Sequence, residues 1–335
     1  MNADQDAALM GSLRERAPKG FLVLGRVGMD LTPTPAGTPI AQASDMAVSM
    51  GGSSANIAAG LVKLGAKADL VTCVSDDAVG WYCLSQLDHY GIGRAHVRAI
   101  KGEERTSLAV VETRMQDHQS VIYRNNAADF QMNTADIEAI EFASFGALIT
   151  TGTVFAAEPS RSAAFLALDK ARAAGLPVIF DIDYRPYSWP SAEVAQEVLT
   201  RAGHLSDMIV GNDEEFGFMV GDYDKGLAAA RQLASDAPRI IIYKKGPEGA
   251  ITLAGGAEIA TGIFPVTALK PTGAGDSFMA GLLASICAGC DLETAVLRGS
   301  ACASIVVAKA GCAPAMPIPS ELETFLNEHP GASAP

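Results

Sequence analysis

The amino-acid sequence is short of positive charge. Its 335 residues carry 25 Lys and Arg against 38 Asp and Glu, which gives a formal net charge of −13. Surfaces that bind nucleic acids or anionic membranes concentrate Lys and Arg, so this balance argues against both kinds of partner. An acidic substrate would therefore have to be held by a few local cations.

Long apolar runs are also missing, and we expect no leader peptide at the start of the sequence. No uncharged apolar run is long enough to cross a bilayer, and the longest candidate, residues 278–290, is typical of a buried helix. The first residues carry charges around a poor apolar centre, unlike a signal peptide. We expect residues 1–19 to form a disordered tail and residues 20–330 to form the folded domain.

The cysteines are few and scattered through stretches rich in Ala and Val. This pattern is typical of reduced core thiols in a cytosolic protein. Cys287 and Cys290 have the spacing of a redox or metal pair, but no second pair or His cluster accompanies them, so core packing is the favoured interpretation. The six positions are Cys73, Cys83, Cys287, Cys290, Cys302 and Cys312.

Several motifs of well-known enzyme classes are absent. The nearest approach to a Walker phosphate loop, residues 60–67, has Ala66 where the Lys should be. There is no Gly-x-Gly-x-x-Gly fingerprint, no Gly-x-Ser-x-Gly elbow and no His-Glu-x-x-His helix. P-loop NTPases, dehydrogenases, α/β-hydrolases and zincins therefore lose support.

The most informative stretch that is present runs from 271 to 278 and contains Gly273-Ala274-Gly275-Asp276 ahead of an apolar run. This pattern predicts a tight turn that leads into a buried helix. N–H groups at a helix N-terminus lack intrahelical partners and favour an anion such as a phosphate. Asp276 would then be placed to accept a hydroxyl proton. An ordinary loop with an Asp N-cap fits the same residues, so other segments must decide.

The first third of the chain supplies candidate hydroxyl-binding groups. Residues 21–25 predict a buried strand, and Asp30 follows it, where open α/β sheets place ligands. Gly51 and Gly52 precede a helix of small residues and allow close approach to the backbone, while Asn56 is placed to hydrogen-bond a sugar hydroxyl. A solvated turn residue is the alternative interpretation of Asp30.

Two segments interrupt the α/β rhythm. Residues 31–50 lack helical periodicity, and strands over 106–111 and 120–124 enclose a polar turn. We expect these segments, about 31–50 and 95–126, to form a small sheet that acts as a lid. Arg124 at the end of the hairpin would face the cleft, although a solvated Arg is the commoner outcome.

The second half alternates strands with helices and so predicts a mostly parallel sheet with helices on both faces. Predicted strands cover 147–151, 178–183, 208–211 and 239–243. Polar motifs follow three of these strands directly, at 181–186, 212–215 and 244–249. They would line one edge of the sheet, where the ligand crevice lies.

Taken together, these motifs resemble those of the ribokinase-like (PfkB) carbohydrate kinases over nearly the whole chain after the tail. Each motif is only moderately specific, but the ordered set is highly specific. The motifs are Gly51-Gly52 with Asn56, Asn212-x-x-Glu215, Lys245-Gly246-x-x-Gly249 and Thr272-Gly273-Ala274-Gly275-Asp276.

The resemblance implies a doubly wound α/β kinase with a small β-sheet lid, often paired in a homodimer, that uses ATP and Mg²⁺. It implies that Asp276 is the catalytic base, that Asn212 and Glu215 order Mg²⁺ through water, and that Gly273, Ala274 and Gly275 form an anion hole. It further implies that the sugar is held by Asp30, Gly51, Gly52 and Asn56. The nucleotide would lie along Lys245, Gly246, Gly249 and Thr272.

One position departs from the family pattern. Many members carry Asp six residues before the catalytic Asp, in a loop that binds a monovalent cation, whereas this chain has Lys270. We hypothesise that the Lys270 ammonium replaces that cation. A solvent-facing Lys is the alternative.

Residues 123–129, 181–189 and 270–272 resemble the 5-dehydro-2-deoxygluconokinases of inositol catabolism more than ribokinase or adenosine kinase. Arg124 and Arg185 would bind the carboxylate of the sugar acid. The 2-dehydro-3-deoxygluconate kinases also use Arg in comparable stretches, so that acid, and more distantly fructose or ribose, remain alternatives. A non-catalytic sugar- or nucleotide-binding regulator is disfavoured because Asp276 and Glu215 are intact.

Overall fold

The computed structural model describes residues 2–237 and 239–332, with side chains from residue 6 onwards. The strands are β1 (Phe21–Leu24), β2 (Gly28–Thr34), β3 (Asp45–Gly51), β4 (Ala68–Ser75), β5 (Gly93–Ile100), β6 (Leu108–Val111), β7 (Ser120–Tyr123), β8 (Ala147–Thr151), β9 (Val178–Asp181), β10 (Met208–Asn212), β11 (Ile240–Lys244), β12 (Ala250–Ala254) and β13 (Ala257–Thr261). The α-helices are α1 (Asn2–Arg16), α2 (Ser53–Lys63), α3 (Ala78–Tyr90), α4 (Thr134–Glu138), α5 (Ser160–Ala173), α6 (Ala192–His204), α7 (Asp213–Met219), α8 (Gly226–Asp236), α9 (Ala274–Cys287), α10 (Leu292–Val307) and α11 (Pro319–Glu328).

Within these residues, nine strands form the main sheet in the order β13-β12-β11-β10-β9-β8-β1-β4-β5. Neighbours from β5 to β11 pair in parallel, whereas β12 and β13 are antiparallel additions at one edge. β1 lies between β4 and β8, with Phe21 opposite Ala68 on one side and Ala147 on the other. The predicted doubly wound, mostly parallel sheet is confirmed.

Helices cover both faces of the main sheet. Leu22 and Leu24 belong to a core shared with α5 and α6, while Phe21 and Val23 belong to a second core shared with α2 and α9. A strand that is buried on both faces must be apolar at every position, which explains the unbroken apolar run of β1. In the described part of the chain, no helix is both long and apolar enough to cross a membrane.

A second, smaller sheet has the order β3-β2-β6-β7. β2 pairs antiparallel with β3 and parallel with β6, and β6 and β7 form the predicted hairpin. Its bounds differ from the lid segments expected from the sequence, because β5 joins the main sheet and Asp30 lies inside β2. β5 is hard to recognise because it is an edge strand with polar residues, Arg94, His96 and Arg98, at alternate positions.

The N-terminal segment also differs from expectation. Residues 2–16 form α1, whereas the sequence predicts a disordered tail over 1–19. Met10 and Leu13 are buried, 6% and 2% exposed, within the core that contains α9. Arg14 donates to main-chain carbonyls at and just beyond the end of α9, at 3.2 and 2.8 Å. The sequence shows the apolar run of α9 but not that α1 packs against it, so the helix was not expected.

Candidate active site

A cavity of about 580 Å³ lies where the carboxyl ends of β1, β9, β10 and β11 meet the small sheet and the start of α9. Open α/β sheets place ligands at this edge. The predicted site residues that line it are Asp30, Gly52, Asn56, Arg185, Asn212, Glu215, Gly246, Gly249, Thr272, Gly273, Ala274, Gly275 and Asp276. Those that do not line it are Gly51, Arg124, Lys245 and Lys270.

The glycine turn before α9 has the geometry that the sequence predicts. Gly273 is the N-cap residue and adopts φ 85°, a left-handed conformation that favours glycine. A Cβ at Gly273 would also lie 2.8 Å from Sγ of Cys312. The helix begins at Ala274, so the N–H groups of its first turn have no intrahelical acceptor and carry the positive end of the helix dipole at the cavity. These N–H groups are suited to bind an anion, and Asp276 lies beside them in the first turn of the helix.

Asp276 lies in the first turn of α9 and is joined to the other end of the chain. Nδ2 of Asn56, in α2, donates to Oδ2 of Asp276 at 2.8 Å. The pKa of Asp276 is raised to about 6, mainly by burial of the carboxylate and to a smaller extent by the negative charge of the nearby Asp183. The hydrogen bond from Asn56 opposes this rise. A carboxylate with a pKa near neutrality is suited to accept a proton.

The glycine pair before α2 makes room for Asp30. A Cβ at Gly51 would lie 1.9 Å from Oδ1 of Asp30, so the carboxylate occupies the space that a side chain would need. A Cβ at Gly52 would lie 2.5 Å from the carbonyl oxygen of Arg26. Burial raises the pKa of Asp30 to about 6, although the charges of Arg26 and Lys270 act in the opposite direction.

Three further acidic residues, Asp181, Asp183 and Glu215, lie in the cavity wall and are each less than 10% exposed. Burial raises the pKa of Asp181 to about 8. Burial alone would raise the pKa of Asp183 too, but the Arg185 guanidinium, 2.8 Å away, and neighbouring donors hold it below its usual value. Burial raises the pKa of Glu215, against the pull of Lys244.

The Asn212-x-x-Glu215 motif forms a capping box at the start of α7. Oδ1 of Asn212 accepts from the N–H of Glu215, and Oε2 of Glu215 accepts from the N–H of Asn212, both at 2.8 Å. The second Glu215 oxygen, Oε1, accepts from the N–H of Tyr184 at 3.3 Å. Among the described residues, no three acidic, His or Cys side chains are close enough together to hold a metal ion alone.

The last residue of β11 is the first of two adjacent lysines, and its side chain faces the cavity. Lys244 lines it, and its Nζ would lie 3.3 Å from a Cβ at Gly275. Lys245, the residue singled out by the sequence, instead pairs with Glu248 at 3.3 Å. Gly249 adopts φ 87°, and a Cβ there would lie 2.0 Å from the carbonyl oxygen of Thr261.

Arg124 is placed differently from the sequence expectation. Its side chain is 4% exposed and forms an ion pair with Asp129, and its Nη2 also donates to the carbonyl oxygen of Thr153 at 3.0 Å. The guanidinium lies over the Phe130 ring, 4.1 Å from its centroid. Arg124 is therefore buried behind the cavity wall and does not face the cleft.

Lys270 is buried, 2% exposed, beneath the glycine turn. Its Nζ donates to the carbonyl oxygen of Thr272 at 2.5 Å and to that of Val306 at 3.3 Å. Burial lowers the pKa of Lys270, while the charges of Cys312, Asp276 and Asp30 act in the opposite direction. The ammonium thus joins the turn to the end of α10, and the solvent-facing alternative is wrong.

Sequence reasoning missed Arg26 as a cavity residue, and it placed the motifs that contain Asp181 and Lys244 at the crevice without giving either side chain a role. Asp181 and Lys244 end their strands within motifs that the sequence does mark, so strand position was an available signal. Arg26 follows β1 closely, by the same rule that favours Asp30.

Comparisons with known proteins agree on one family. The profile described as pfkB family carbohydrate kinase matches residues 19–319. The chain is 36% identical over 321 residues to the 5-dehydro-2-deoxygluconokinase of Photobacterium profundum, covering 94% of this chain and 97% of that protein. It is 34% identical over 325 residues to the protein of the same name from Geobacillus kaustophilus, covering 96% and 97%.

Solved structures share the fold. The crystal structure of a PfkB protein from Polaromonas sp. JS666 matches with a TM-score of 0.79 and 26% identity, covering 91% of this chain and 99% of that one. The fructokinase from Vibrio cholerae O395, in its fructose, ADP and calcium ion bound form, matches with a TM-score of 0.80, 23% identity and coverage of 91% and 98%.

Proposed function

The chain belongs to the pfkB family of carbohydrate kinases, and from that premise we propose that it phosphorylates a keto-deoxy sugar acid with ATP, with 5-dehydro-2-deoxy-D-gluconate as the preferred acceptor. The observation that carries the proposal is Asp276, hydrogen-bonded by Asn56 and placed beside the glycine turn inside the cavity. Two relatives that are 34–36% identical to this chain are named 5-dehydro-2-deoxygluconokinase, which supports the choice of acid.

Asp276 acts as the base in this proposal. It accepts the proton of the primary hydroxyl while that oxygen bonds to the γ-phosphorus and the bond from phosphorus to the β,γ-bridging oxygen breaks, releasing ADP. N–H groups of Gly273, Ala274 and Gly275 stabilise charge on the transferring group. Lys244, close to Gly275, adds a positive charge at the same point.

Asp30 and Asn56 orient the sugar in this proposal. Asp30 projects from the small sheet and Asn56 projects from α2, so the two side chains would contact the acceptor from different elements. The lack of a side chain at Gly51 leaves room for the Asp30 carboxylate, and the lack of one at Gly52 lets the backbone at Arg26 approach the start of α2. Ala109, Val111 and Ile122 of the small sheet also line the cavity, so movement of that sheet over the acceptor would exclude water.

Mg²⁺ fits the oxygen-rich wall of the cavity, where it would neutralise phosphate charge. The described residues offer no three-carboxylate cage, and the Asn212 and Glu215 oxygens already serve the capping box. These two residues would therefore order the ion through its waters, as suits a cation that keeps part of its hydration shell.

The nucleotide would lie along the loop after β11 and the start of α9. Gly246, Gly249 and Thr272 line the cavity there. The buried Oγ1 of Thr272 has no hydrogen-bond partner among the described residues and is available to the nucleotide. Lys245 is close in sequence but acts from outside the cavity wall, through its pairing with Glu248.

Arg185 is proposed to contact the acid from the rim of the cavity, where 45% of its side chain is exposed. Arg124, held by Asp129, would contribute positive charge from behind the wall rather than a direct contact. Replacing Arg185 by Met should raise the KM for the acid more than that for ATP. An unchanged KM for the acid would remove Arg185 from this role.

Lys270 is proposed to take the place of a monovalent cation. Its ammonium already satisfies two main-chain carbonyls next to the glycine turn, which supports this role. Turnover should then be insensitive to potassium. A steep rise in activity when potassium is added to a buffer free of potassium and sodium would contradict the proposal.

The small sheet is proposed to pair with its copy in a homodimer of a cytoplasmic enzyme of inositol catabolism. Its strands β3 and β7 expose Met46, Val48, Val121 and Tyr123, each at least 38% exposed. Light scattering after size-exclusion chromatography should give the dimer mass, and Val48→Glu should shift it to the monomer. A monomeric wild-type protein would contradict the pairing.

The proposed reaction is tested by a coupled ADP-release screen over 5-dehydro-2-deoxygluconate, 2-dehydro-3-deoxygluconate, fructose, ribose and adenosine. We expect the highest kcat/KM with the first. A preference for another acceptor would correct the substrate. Absence of ADP release with every acceptor would favour a non-catalytic sugar- or nucleotide-binding protein.

A further inference from the structure

We propose that Arg26 is the principal partner of the substrate carboxylate and that it sets the preference for a sugar acid over a neutral sugar. The inference rests on the proposed function and deepens it, because it assigns substrate selection to a residue outside the motifs of the glycine turn and the nucleotide loop. Arg26 lies between β1 and β2, at the end of the cavity that holds Asp30.

The Arg26 side chain is buried yet incompletely satisfied. It is 9% exposed and lines the cavity. Nη1 donates to Oγ of Ser107 at 3.1 Å, whereas Nε is buried and has no hydrogen-bond partner among the described residues. A buried guanidinium that keeps a free donor is costly unless a ligand completes its hydrogen bonds. A carboxylate suits it, because its two oxygens match the fork of a guanidinium.

The other arginines near the cavity already have anionic partners. Arg185 is paired with Asp183 at 2.8 Å, and Arg124 is paired with Asp129. Arg26 takes part in no ion pair within the described residues. The positive charge of Arg26 is near enough to oppose the burial that raises the pKa of Asp30 and to help hold the pKa of Asp183 below its usual value. Arg26 forms no hydrogen bond to either carboxylate within the described residues.

Arg26 and Lys244, another positively charged residue in the cavity wall, lie at different ends of the cavity. Lys244 lies beside Gly275 at the start of α9 and 5.8 Å from the centre of the Phe278 ring, at the phosphate end. Arg26 lies at the sugar end, beside Asp30. An acid that enters this end meets the charge of Asp30 in a chain with a net charge of −13, so a local cation is needed to offset the repulsion.

The backbone of Arg26 is held in place before any ligand binds. Its carbonyl oxygen accepts from the N–H of Ala55 at 3.2 Å and packs against Gly52, where a Cβ would come within 2.5 Å of it. The base of the side chain is therefore fixed to the start of α2, which also carries Asn56. Such preorganisation lowers the ordering cost of binding.

A purely structural role for Arg26 makes a different prediction. The hydrogen bond to Ser107 ties the segment after β1 to the residue just before β6, and so to the small sheet. If this tie were the only role, losing Arg26 would impair acidic and neutral acceptors alike. Ser107→Ala would then reproduce the effect of Arg26→Met.

The test measures KM and kcat for the sugar acid, for the matching sugar with its carboxylate reduced to an alcohol, and for ATP. Arg26→Met should raise the KM for the acid by about 10- to 100-fold, the range expected for losing a charged hydrogen-bonding contact. It should leave the KM values for the alcohol and for ATP within about threefold of wild type. Arg26→Lys should restore part of the affinity for the acid, because it keeps the charge but not the two-donor fork.

Two control variants make the outcome decisive. Arg94→Met removes an exposed arginine that pairs with Asp88 on the surface, and it should leave all three KM values unchanged. Ser107→Ala should raise the KM for the acid much less than Arg26→Met does. Equal losses for acid and alcohol in Arg26→Met, or an unchanged KM for the acid, would overturn the assignment. A wild-type enzyme that phosphorylates neutral sugars but no acid would overturn the proposed function, and this inference with it.

Discussion

Removing the amide of Asn56 should move the pH dependence of catalysis. Nδ2 of Asn56 donates to the Asp276 carboxylate at 2.8 Å and favours its charged form, whereas burial raises the pKa of Asp276 to about 6. A hydrogen bond to a charged group contributes about 1.5–3 kcal/mol, and one pKa unit corresponds to about 1.4 kcal/mol. Asn56→Leu should therefore raise the pKa of Asp276 by about one to two units.

The sign follows from the proposed role of Asp276. A base works only when ionised, so kcat/KM should fall as the pH drops through the pKa. In the wild-type enzyme this fall should centre near pH 6, since Asp276 and Asp30 both have pKa values of about 6. In Asn56→Leu the fall due to Asp276 should move to about pH 7–8.

The assay is a profile of kcat/KM from about pH 5 to about pH 9, which reports the free enzyme. The matched control is Asn133→Leu, which removes the N-cap side chain of α4, away from the cavity. In this control kcat/KM should fall at the same acidic pH as in the wild-type enzyme. An acid limb that stays near pH 6 in Asn56→Leu would refute the reasoning that Asn56 tunes the base.

Three further variants test other parts of the account. Gly51→Ala places a Cβ 1.9 Å from Oδ1 of Asp30, so the carboxylate must move. The KM for the sugar should rise at least about tenfold. A KM within about twofold of the wild-type value would count against Asp30 as a sugar ligand. Leu13→Ala should lower the free energy of unfolding by about 2–5 kcal/mol, measured in urea, because Leu13 is 2% exposed; a loss below about 0.5 kcal/mol would show that α1 adds little to the fold. Lys270→Met removes the Nζ donor to the carbonyl oxygen of Thr272, whereas the carbonyl oxygen of Val306 still accepts from the N–H of Lys309; the variant should cost about 1–3 kcal/mol in the same measurement, and unchanged stability would contradict the buried contact.

The parts of the site that depend on glycine could be predicted from the sequence. Gly273 has a left-handed backbone, and Gly51 and Gly52 stand where a Cβ would meet Asp30 and the backbone of Arg26. Glycines at such positions can be recognised in the sequence, because few other residues fit there. The strands with unbroken apolar runs were predictable for a similar reason, since a strand buried on both faces admits no polar residue.

The direction of long side chains could not be predicted in the same way. Lys244 and Lys245 are neighbours, and only the end of β11 decides that the first faces the cavity. Arg124 is drawn into the interior by Asp129, five residues along the chain, and by the backbone of Thr153. These outcomes depend on partners that tertiary packing brings together. Composition alone favours an exposed Arg or Lys.

Helix α1 and strand β5 were missed because their partners are remote. The buried apolar side chains Met10 and Leu13 of α1 belong to the core that contains α9, more than 250 residues later in the chain. Within the described residues β5 is an edge strand that pairs with another strand on one side only, so polar residues are tolerated along it.

The decisive experiment on the base is single-turnover phosphoryl transfer from ATP to the sugar acid by Asp276→Asn. Asn keeps the size of the side chain but cannot accept the hydroxyl proton, so the rate of transfer should fall by about 10²- to 10⁴-fold while ATP affinity and the unfolding midpoint stay near those of wild type. A variant that folds, binds ATP and transfers the phosphoryl group within about tenfold of the wild-type rate would contradict the claim that Asp276 is the base.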